Sequence, residues 1–388
     1  MKAIIRRGSA IGGLVLALAA LLALALAPQA AAGSKGTGKA LHAALNEVMR
    51  APGAPPGLSV LVQRGERVSF LRRGRSNLAT GARFRAGQHY RLASMSKAYS
   101  GAVALALASS GELSLDDTIG EWLPGVLPLA EQVTVREALH HTGGLPDYIR
   151  DPEFVAELMR DPRQYMTPLE LLSFVEDDEL EFEPGSEYEY SDTDNVVVGL
   201  IAERASGLSY EQLLERYVYE PVGLEQTSLP DTVAMPRPFL RGYSPPGDGP
   251  LEDVTKAINP ALAWASGGIV STAPEVNDFF RAYVSGSLFS QRQARAQRDF
   301  VIGSSSPPGP GRNQAGLGLF RYRTHCGTLF GHTGSFPGYR VFAAASRNGR
   351  RSVVFTVNSQ IVPPDQGNQE AADLIRHAQV DAVCRALA

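Results

Sequence analysis

Ser94 and Lys97 are the residues of this sequence whose types and spacing are best suited to chemistry. They lie three positions apart, and on a helix this spacing puts the hydroxyl and the amine on one face. Lys97 is one of five lysines and the only one between Lys39 and Lys256, because arginine supplies nearly all other positive charge. Arginine keeps its proton in proteins, whereas a partly buried lysine can act as a base. The pair indicates a serine nucleophile activated without histidine.

Two further motifs follow in order and support this interpretation. The first, Tyr190-Ser191-Asp192, opens an apolar run. A tyrosine near a lysine can carry a proton to a leaving group, since the cation favours the phenolate. The second, His332-Thr333-Gly334-Ser335, leads into a strand-like run. Small residues at a strand edge let backbone N–H groups approach a carbonyl oxygen, so the amides of Ser94 and Ser335 are predicted to form an oxyanion hole.

The elements that must position these motifs fall into two α/β segments separated by a mostly helical one. The helix that carries Ser94 is apolar all round as far as Gly111, which predicts that it is buried. Strand patterns and helical patterns alternate in the first and last thirds of the chain. The strand patterns span 58–63, 67–71, 267–271, 316–322, 339–345 and 351–357, and the helical patterns span 38–50, 273–285 and 367–387.

This pattern predicts an α/β domain built from residues 33–111 and 266–388. Residues 112–265, where helical segments alternate with Pro-rich loops, form a mostly helical inserted domain. A serine at the start of a buried helix lies between layers, which suits a pocket. Ser94 is therefore predicted to line a pocket between layers.

Residues 1–32 have the pattern of a secretory signal. Three cations precede an apolar run at 11–27, and small residues at 30–32 offer a cleavage site. The alternative is a membrane anchor, but the run is shorter than the ~20 residues that a spanning helix needs. No cysteine follows it to carry a lipid. The mature protein is predicted to be secreted or periplasmic, with no stable membrane span.

Charge and cysteine content narrow the partners. The formal charge is −3, and it becomes −6 once the three signal cations are removed, which argues against a nucleic-acid partner. Cys326 and Cys384 are an even pair in an exported protein, so one disulfide is predicted, with two unpaired thiols as the alternative. Neither a His-Glu-x-x-His nor a Cys-x-x-Cys motif occurs, so no metal site is predicted.

The three motifs, taken in order, resemble those of the serine penicillin-recognising hydrolases. These comprise class C β-lactamases, D-Ala-D-Ala carboxypeptidases, related esterases and D-amino-acid amidases. Segments 112–117, 139–145 and 264–268 also look like family segments. His332 and the two cysteines are most similar to the soluble D-Ala-D-Ala carboxypeptidases of streptomycetes. The resemblance implies an α/β (α+β) fold of the β-lactamase/transpeptidase type, with an antiparallel sheet flanked by helices and an inserted helical domain. It also implies an active site at the interface of the two domains and no cofactor.

The resemblance also implies a role for each site residue. Ser94 attacks an amide, ester or β-lactam carbonyl, and Lys97 accepts its proton. Tyr190, coupled to Lys97 and His332, protonates the leaving group, although the general base is left open between Lys97 and Tyr190. The residues implied to contact the substrate are Asp192, Thr333, Gly334 and Trp264. His332 is expected to keep a pKa of about 6.5, so that anionic substrates bind better at lower pH.

Two departures from the family pattern concern the substrate. Asp192 stands where the family usually has Asn, so a hydrogen-bond donor is lost and a negative charge is added. Phe320 stands where the streptomycete enzymes have an arginine that holds a substrate carboxylate, and Arg321 would point to the opposite face of a strand. Both changes favour donor-bearing or cationic substrates. The acidic stretch 176–183 agrees with this, or is simply a solvated surface.

The predicted function is hydrolysis through an acyl-enzyme, most similar to a D-Ala-D-Ala carboxypeptidase. The alternatives are a D-amino-acid amidase or aminopeptidase, an esterase, a β-lactamase, and a penicillin-binding sensor with poor turnover. The partner is a small molecule or peptide: a peptidoglycan-type peptide, a D-amino-acid derivative, an ester or a β-lactam.

Overall fold

The computed structural model describes residues 34–246, 249–361 and 368–388. The predicted signal segment, residues 1–32, lies outside the described residues. Within the three described ranges, no helix combines the length and the apolarity that crossing a membrane requires.

The strands of the described residues form one large sheet and one small one. In chain order they are β1 (Gly57–Arg64), β2 (Arg67–Gly74), β3 (Tyr90–Arg91), β4 (Val270–Ser271), β5 (Val301–Ile302), β6 (Arg312–Gly316), β7 (Leu319–Thr324), β8 (Gly327–Phe336), β9 (Tyr339–Ala345) and β10 (Arg351–Val357). The large sheet is antiparallel, with the order β2-β1-β10-β9-β8-β7-β6-β5, and β3 pairs with β4. The N-terminal strand β1 thus pairs directly with the C-terminal strand β10.

Helices cover both faces of the large sheet. They are α1 (Ser34–Val48), α2 (Ser96–Ser110), α3 (Ile119–Trp122), α4 (Val135–His140), α5 (Pro152–Arg160), α6 (Pro168–Leu172), α7 (Thr193–Ser206), α8 (Tyr210–Leu214), α9 (Glu220–Val222), α10 (Trp264–Gly267), α11 (Ala273–Ser285), α12 (Gln291–Ala296) and α13 (Gln369–Leu387). On one face α13 packs against α1, β1 and β10, and on the other α11 packs against β9 and β10. Every residue of β9 is buried, which agrees with its apolar residues from Val341 to Ala345.

The helix that follows Ser94 is buried as predicted. Residues 96–107 of α2 are all buried, and the helix ends at Gly111, whose φ of 82° is left-handed. Helix α2 packs against α7 and α10. A glycine suits this C-terminal position because it has no side chain to clash in the left-handed region.

The fold class predicted from the sequence is confirmed, and two of the predicted strands are corrected. The single strand predicted at 316–322 is interrupted by a turn, because Gly318 (φ 62°) brings the chain back against the backbone of α2. Of the strand predicted at 267–271, the first residue, Gly267, belongs to α10, and only Val270–Ser271 (β4) forms a strand. The strands of the large sheet come from residues 57–74 and 301–357. The division into two domains stays a prediction.

A disulfide joins Cys326 to Cys384. Cys326 lies in the turn between β7 and β8, and Cys384 lies on α13. The predicted pairing is thus present. The bond closes a span of 58 residues and fastens the C-terminal helix to the sheet.

Candidate active site

Ser94 lies in a short 3-10 turn, 93–95, that leads directly into α2. The residue before it, Ala93, has a φ of 51°. A non-glycine residue in the left-handed region costs of the order of 1 kcal/mol and is found mainly where the surrounding structure enforces it. This backbone bend separates the serine from the strand-like segment that precedes it.

Close approach of β8 holds this turn in place. Gly334 lies against it so tightly that an added Cβ would be 2.5 Å from the carbonyl oxygen of Leu92 and 3.0 Å from the Cβ of Ala93. The backbone N–H of Leu92 also donates a hydrogen bond of 2.9 Å to the carbonyl of Ile269. Gly334 therefore acts in the site by leaving room for the serine turn.

Lys97 is fully buried and its amine has three hydrogen-bond acceptors. Its Nζ lies 2.6 Å from Asp192 Oδ1, 3.1 Å from the carbonyl oxygen of Ser266 and 3.4 Å from Ser94 Oγ. An ammonium has three donors, so these partners use all of them. The predicted contact between Ser94 and Lys97 is present.

Asp192 is the counter-ion of Lys97. It stands at the N-terminal end of α7, and its side chain is 12% exposed. Because the carboxylate and the ammonium compensate each other's charge, the extra charge predicted from the sequence is held inside the protein. A contact between Asp192 and a substrate stays a prediction.

Asp147 hydrogen-bonds the backbone of Asp192. Its Oδ1 accepts a 3.0 Å hydrogen bond from the backbone N–H of Asp192, and its Oδ2 lies 3.6 Å from Nε of Arg150. Burial raises the pKa of Asp147 to about 7, and the charge of Asp192 adds to the rise. Two carboxylates therefore lie side by side here, and the second titrates near neutral pH.

Tyr190 is buried beside this pair. Lys97 Nζ lies 4.9 Å from the centre of its ring, and its hydroxyl is buried with no hydrogen-bond partner among the described residues. Burial raises the pKa of Tyr190 well above 10, the charge of Asp192 adds to the rise, and the Ser94 side chain partly offsets it. The expectation that the nearby cation favours the phenolate is wrong, because desolvation outweighs that cation. Tyr190 is a neutral phenol, which is the form that can donate a proton.

His332 is fully buried on β8, and the pKa expected for it is wrong. Its Nδ1 is 2.6 Å from the carbonyl oxygen of Thr333, and its Nε2 has no partner among the described residues. Burial lowers the pKa of His332 to about 3, although the Thr333 hydrogen bond opposes the change. The ring is therefore neutral between pH 5 and 8. Donation from Nδ1 to Thr333 leaves Nε2 as an acceptor.

Phe320 fills the position that the family resemblance assigns to a carboxylate-binding arginine. It lies on β7, 1% exposed, with its ring centre 5.0 Å from that of His332. The neighbouring Arg321 stacks over the ring of Phe300 and hydrogen-bonds Gln314. Adjacent strand residues point to opposite faces, and this strand follows the rule.

The remaining predicted site residues are Ser335, Thr333 and Trp264. Ser335 is near the end of β8, where its hydroxyl accepts a 3.1 Å hydrogen bond from Gln360. The Thr333 hydroxyl donates to the carbonyl of Pro307. Trp264 packs in the core, its ring centre 4.9 Å from that of Tyr210. The oxyanion role of Ser335 and the substrate contacts of Thr333, Gly334 and Trp264 stay predictions.

Sequence reasoning did not select a second acid–base pair, His141 and Asp194. His141 Nδ1 lies 2.6 Å from Asp194 Oδ2, and both side chains are buried. His141 belongs to the segment 139–145 that resembles the family, and Asp194 follows Asp192 by two positions. Those positions were a possible signal, but only the fold brings the two side chains together.

Comparison with known proteins identifies the family. The sequence model named Beta-lactamase matches residues 45–379. The chain belongs to the Beta-lactamase family. Members of this family are hydrolases, so the protein is an enzyme of that class.

Individual relatives and structures agree with this assignment. Penicillin-binding protein 4* of Bacillus subtilis (strain 168) is 27% identical over 287 residues, 70% of this chain and 61% of that protein. An Escherichia coli (strain K12) protein with the provisional name D-alanyl-D-alanine carboxypeptidase is 30% identical over 167 residues, 41% of this chain and 36% of that protein. The D-stereospecific amidohydrolase of Streptomyces sp. is 27% identical, with a TM-score of 0.75, over 87% of this chain and 98% of that one.

Proposed function

We propose that this protein is an exported serine hydrolase that cleaves amides and esters of small D-amino-acid derivatives through an acyl-enzyme on Ser94. The observation that carries the proposal is the contact between Ser94 Oγ and Lys97 Nζ at 3.4 Å, with Tyr190 buried beside it. A nucleophile within reach of a base and a separate proton donor is what two-step acyl transfer needs.

The first step is attack of Ser94 on the substrate carbonyl. Lys97 must be a neutral amine to accept the serine proton, so it first gives one of its own protons to a partner. Asp192, at 2.6 Å, is the acidic group in contact with it. Transfer leaves a neutral amine and a neutral carboxylic acid, so the net charge of the pair does not change. Lys97 then takes the proton of Ser94 as the C–O bond forms.

The second step is departure of the leaving group. The tetrahedral intermediate collapses as Tyr190 gives its proton to the leaving nitrogen or oxygen, and Lys97 returns the serine proton to the phenolate. The high pKa of buried Tyr190 makes its phenolate short-lived, because the proton is strongly re-bound. Water then enters, and the same groups act in reverse to release the acid. The backbone N–H groups of Ser94 and Ser335 are proposed to bind the oxyanion.

The side chains around the site support a substrate without a free carboxylate. Phe320 is buried beside His332 and supplies no cation at its position, and His332 is neutral. A cleft of about 220 Å³ adjoins the site through Asp147, and its acidic lining residues are Asp147, Asp151, Asp178, Glu181 and Glu189. Arg150 also lines this cleft, and its guanidinium forms a salt bridge with the Glu189 carboxylate, with 2.8 Å between Nη1 and Oε1. An ammonium group is therefore better accommodated than a carboxylate.

Similarity to the Streptomyces amidohydrolase supports the amide class, because it extends over 98% of that chain. The carboxypeptidase activity expected from the sequence is the second candidate, supported by the name of the Escherichia coli relative. It requires a site for the terminal carboxylate built from neutral donors, for example around Ser335 and Gln360, which hydrogen-bond each other.

A fluorophosphonate probe followed by intact-mass analysis tests the mechanism. We expect one adduct on the wild type and none on Ser94→Ala, and an adduct that survives this substitution contradicts the proposal. A substrate panel then tests specificity: a D-alanine amide, a D-Ala-D-Ala peptide, nitrocefin and a short-chain ester. We expect the D-alanine amide to give the highest kcat/KM. A higher value for the D-Ala-D-Ala peptide or nitrocefin supports the carboxypeptidase or the β-lactamase, and an adduct without turnover supports a sensor.

Export rests on residues 1–32 alone. Expression of the full chain in a bacterial host and sequencing of the mature N-terminus is the test. We expect a new N-terminus at Gly33 in the extracytoplasmic fraction. An intact Met1 in the cytoplasmic fraction contradicts export and leaves the catalytic proposal untouched.

A further inference from the structure

A second buried acid–base pair lies beside the catalytic group. His141 Nδ1 and Asp194 Oδ2 are 2.6 Å apart, and the two side chains are 3% and 2% exposed. His141 ends α4 in a left-handed conformation with a φ of 59°, and Asp194 lies in the first turn of α7. Helices α4 and α7 pack together, so this contact joins two elements that are far apart in the sequence.

Burial determines the charge of the pair. It lowers the pKa of His141 and raises the pKa of Asp194 well above its ordinary value. Both shifts disfavour charge, so the pair holds one shared proton and no net charge. Asp194 Oδ1 is buried without a hydrogen-bond partner among the described residues. Leaving this buried oxygen without a partner lowers the stability of the folded protein by about 1–3 kcal/mol.

The pair contacts one catalytic side chain, Tyr190. The centres of the His141 and Tyr190 rings are 4.5 Å apart, and their planes are inclined by 36°. The carbonyl of His141 also accepts a 3.1 Å hydrogen bond from the backbone N–H of Glu189. His141 thus holds Tyr190 through its ring and through the backbone of the preceding residue.

This contact matters because Tyr190 has few other polar restraints. Its hydroxyl makes no hydrogen bond of ordinary length among the described residues, and the polar side chain that acts on it is that of the nucleophile, Ser94. The ring must nevertheless aim that hydroxyl at a leaving group beside Ser94, and misplacement by about 1 Å can cost 10²-fold in rate. Packing against a neighbour that is itself fixed is the means of restraint that the geometry offers.

We propose that His141 and Asp194 form a positioning pair for Tyr190, with Asp194 fixing the His141 ring and the ring fixing the direction in which Tyr190 donates its proton. The inference rests on the proposed function, since it assumes that Tyr190 protonates the leaving group. Neither member of the pair is required to touch the substrate. Their loss should therefore slow proton donation more than it slows attack by Ser94.

Two substrates with one acyl group separate these steps. The p-nitrophenyl ester and the p-nitroanilide of N-acetyl-D-alanine form the same acyl-enzyme, but p-nitrophenolate leaves without a proton whereas the anilide nitrogen must be protonated. We expect His141→Asn to lower kcat/KM for the anilide about 30- to 100-fold and for the ester less than about threefold. Asparagine tolerates the left-handed backbone at this position. Equal losses on the two substrates would overturn the proposal.

His140 provides a matched control. It precedes His141, is buried, and bonds through Nε2 to the carbonyl of Asp299 at 2.7 Å. We expect His140→Gln to leave the anilide-to-ester ratio unchanged. A ratio that changes as much in His140→Gln as in His141→Asn would assign the effect to general loosening of the fold and refute a specific role.

A double-mutant cycle tests the route of the effect. In a Tyr190→Phe background, we expect His141→Asn to change anilide hydrolysis less than about twofold, because the group that it positions is gone. A full loss in that background contradicts the proposal. Asp194→Asn should reproduce the anilide-selective loss more weakly, at about threefold to tenfold, since an amide can still hydrogen-bond the imidazole.

The outcomes distinguish this inference from the proposed function. A wild type whose Ser94 is not labelled by fluorophosphonate contradicts the proposed function. If the wild type is labelled and cleaves the ester but not the anilide, the proposal that amides are substrates is wrong. The positioning role is then tested with the ethyl ester in place of the anilide, because its alkoxide leaving group also requires a proton. If both substrates are cleaved and their ratio does not respond to His141→Asn, only the positioning role fails.

Discussion

Two buried acid–base pairs lie within one site and differ in how they accommodate charge. Lys97 and Asp192 form a salt bridge in which the lysine amine has three acceptors. His141 and Asp194 form an equally short contact, but one carboxylate oxygen has no partner among the described residues, and burial favours the neutral form of each group. The first pair is close to the nucleophile, whereas the second contacts Tyr190.

The two pairs are suited to different tasks. A saturated ion pair holds charge that can move by short proton transfers, which suits activation of Ser94. The second pair, whose two members both favour the neutral form, supplies a rigid ring beside Tyr190. Two contacts of the same length, 2.6 Å, therefore have different chemical consequences because their surroundings differ.

The largest effect should come from removing one charge of the first pair. We expect Lys97→Met to lower kcat/KM by at least about 10³-fold and to reduce the free energy of unfolding by about 3–5 kcal/mol, because Asp192 is left buried without its counter-ion. Urea unfolding and ester hydrolysis measure the two effects. The control is Arg136→Met, which breaks a more exposed ion pair with Asp116 and should cost less than about 1 kcal/mol. Similar losses in the two variants would show that Lys97 and Asp192 do not form a strong pair.

A smaller loss should follow from moving the nucleophile relative to the ion pair. We expect Gly334→Ala to reduce kcat/KM by about 10²-fold, because its Cβ would be 2.5 Å from the carbonyl oxygen of Leu92 and must displace the serine turn. Labelling of Ser94 by fluorophosphonate should slow in parallel. Gly87→Ala, where nothing lies within 4 Å of the added Cβ, is the matched control and should retain full activity.

Asp147 adjoins the charged pair and titrates near neutral pH. Its pKa of about 7 in the folded protein exceeds the ordinary value of 3.8, so between about pH 4 and 7 the folded state binds a proton that the unfolded chain has lost. Stability from this group is therefore greatest at low pH and is lost as the pH rises to about 7. We expect Asp147→Asn to gain stability relative to the wild type over that range, by on the order of 1 kcal/mol for each pH unit above about 4.

Urea unfolding at pH 5 and at pH 8 measures this gain. Asparagine keeps an oxygen that can accept the backbone N–H of Asp192, so the hydrogen bond itself should not change. A difference between the variant and the wild type that is the same at both pH values would contradict a shifted Asp147.

The smallest effect concerns the shape of a pH profile. Because the pKa of His332 is lowered to about 3, its charge does not change between pH 5 and 8. We expect His332→Asn to leave the shape of the kcat/KM profile over this range unchanged, even if the overall level falls. An inflection near pH 6.5 that disappears in the variant would show that His332 does titrate and that this region of the site is not neutral.

The sequence predicted the chemical groups of the site better than their charge states. Ser94, Lys97 and Tyr190 are recognisable because their residue types and order carry the information, and the structure brings them together. The state of His332 and of Tyr190 depends on desolvation by residues from distant segments, which no local pattern reports. The partner of Asp192 was missed for the same reason, since Lys97 is 95 positions away.

The fold shows the same division between local and distant information. Strands β9 and β10 were predicted to the residue, because their β-branched and aromatic residues favour a strand locally. The turn at Gly318 was missed, since it exists where two backbones meet, against α2. The pairing of His141 with Asp194 depends likewise on how α4 packs against α7.

The meeting of Gly334 with the serine turn has a consequence for biosynthesis. The turn at 93–95 is made early during translation, whereas the strand that completes it is made some 240 residues later. Strand β10, which joins β1 to the rest of the sheet, emerges later still. A nascent or truncated chain therefore has the serine but lacks the strand that packs against its turn. We expect such a chain to be unreactive towards acylating reagents until β8 and β10 are in place.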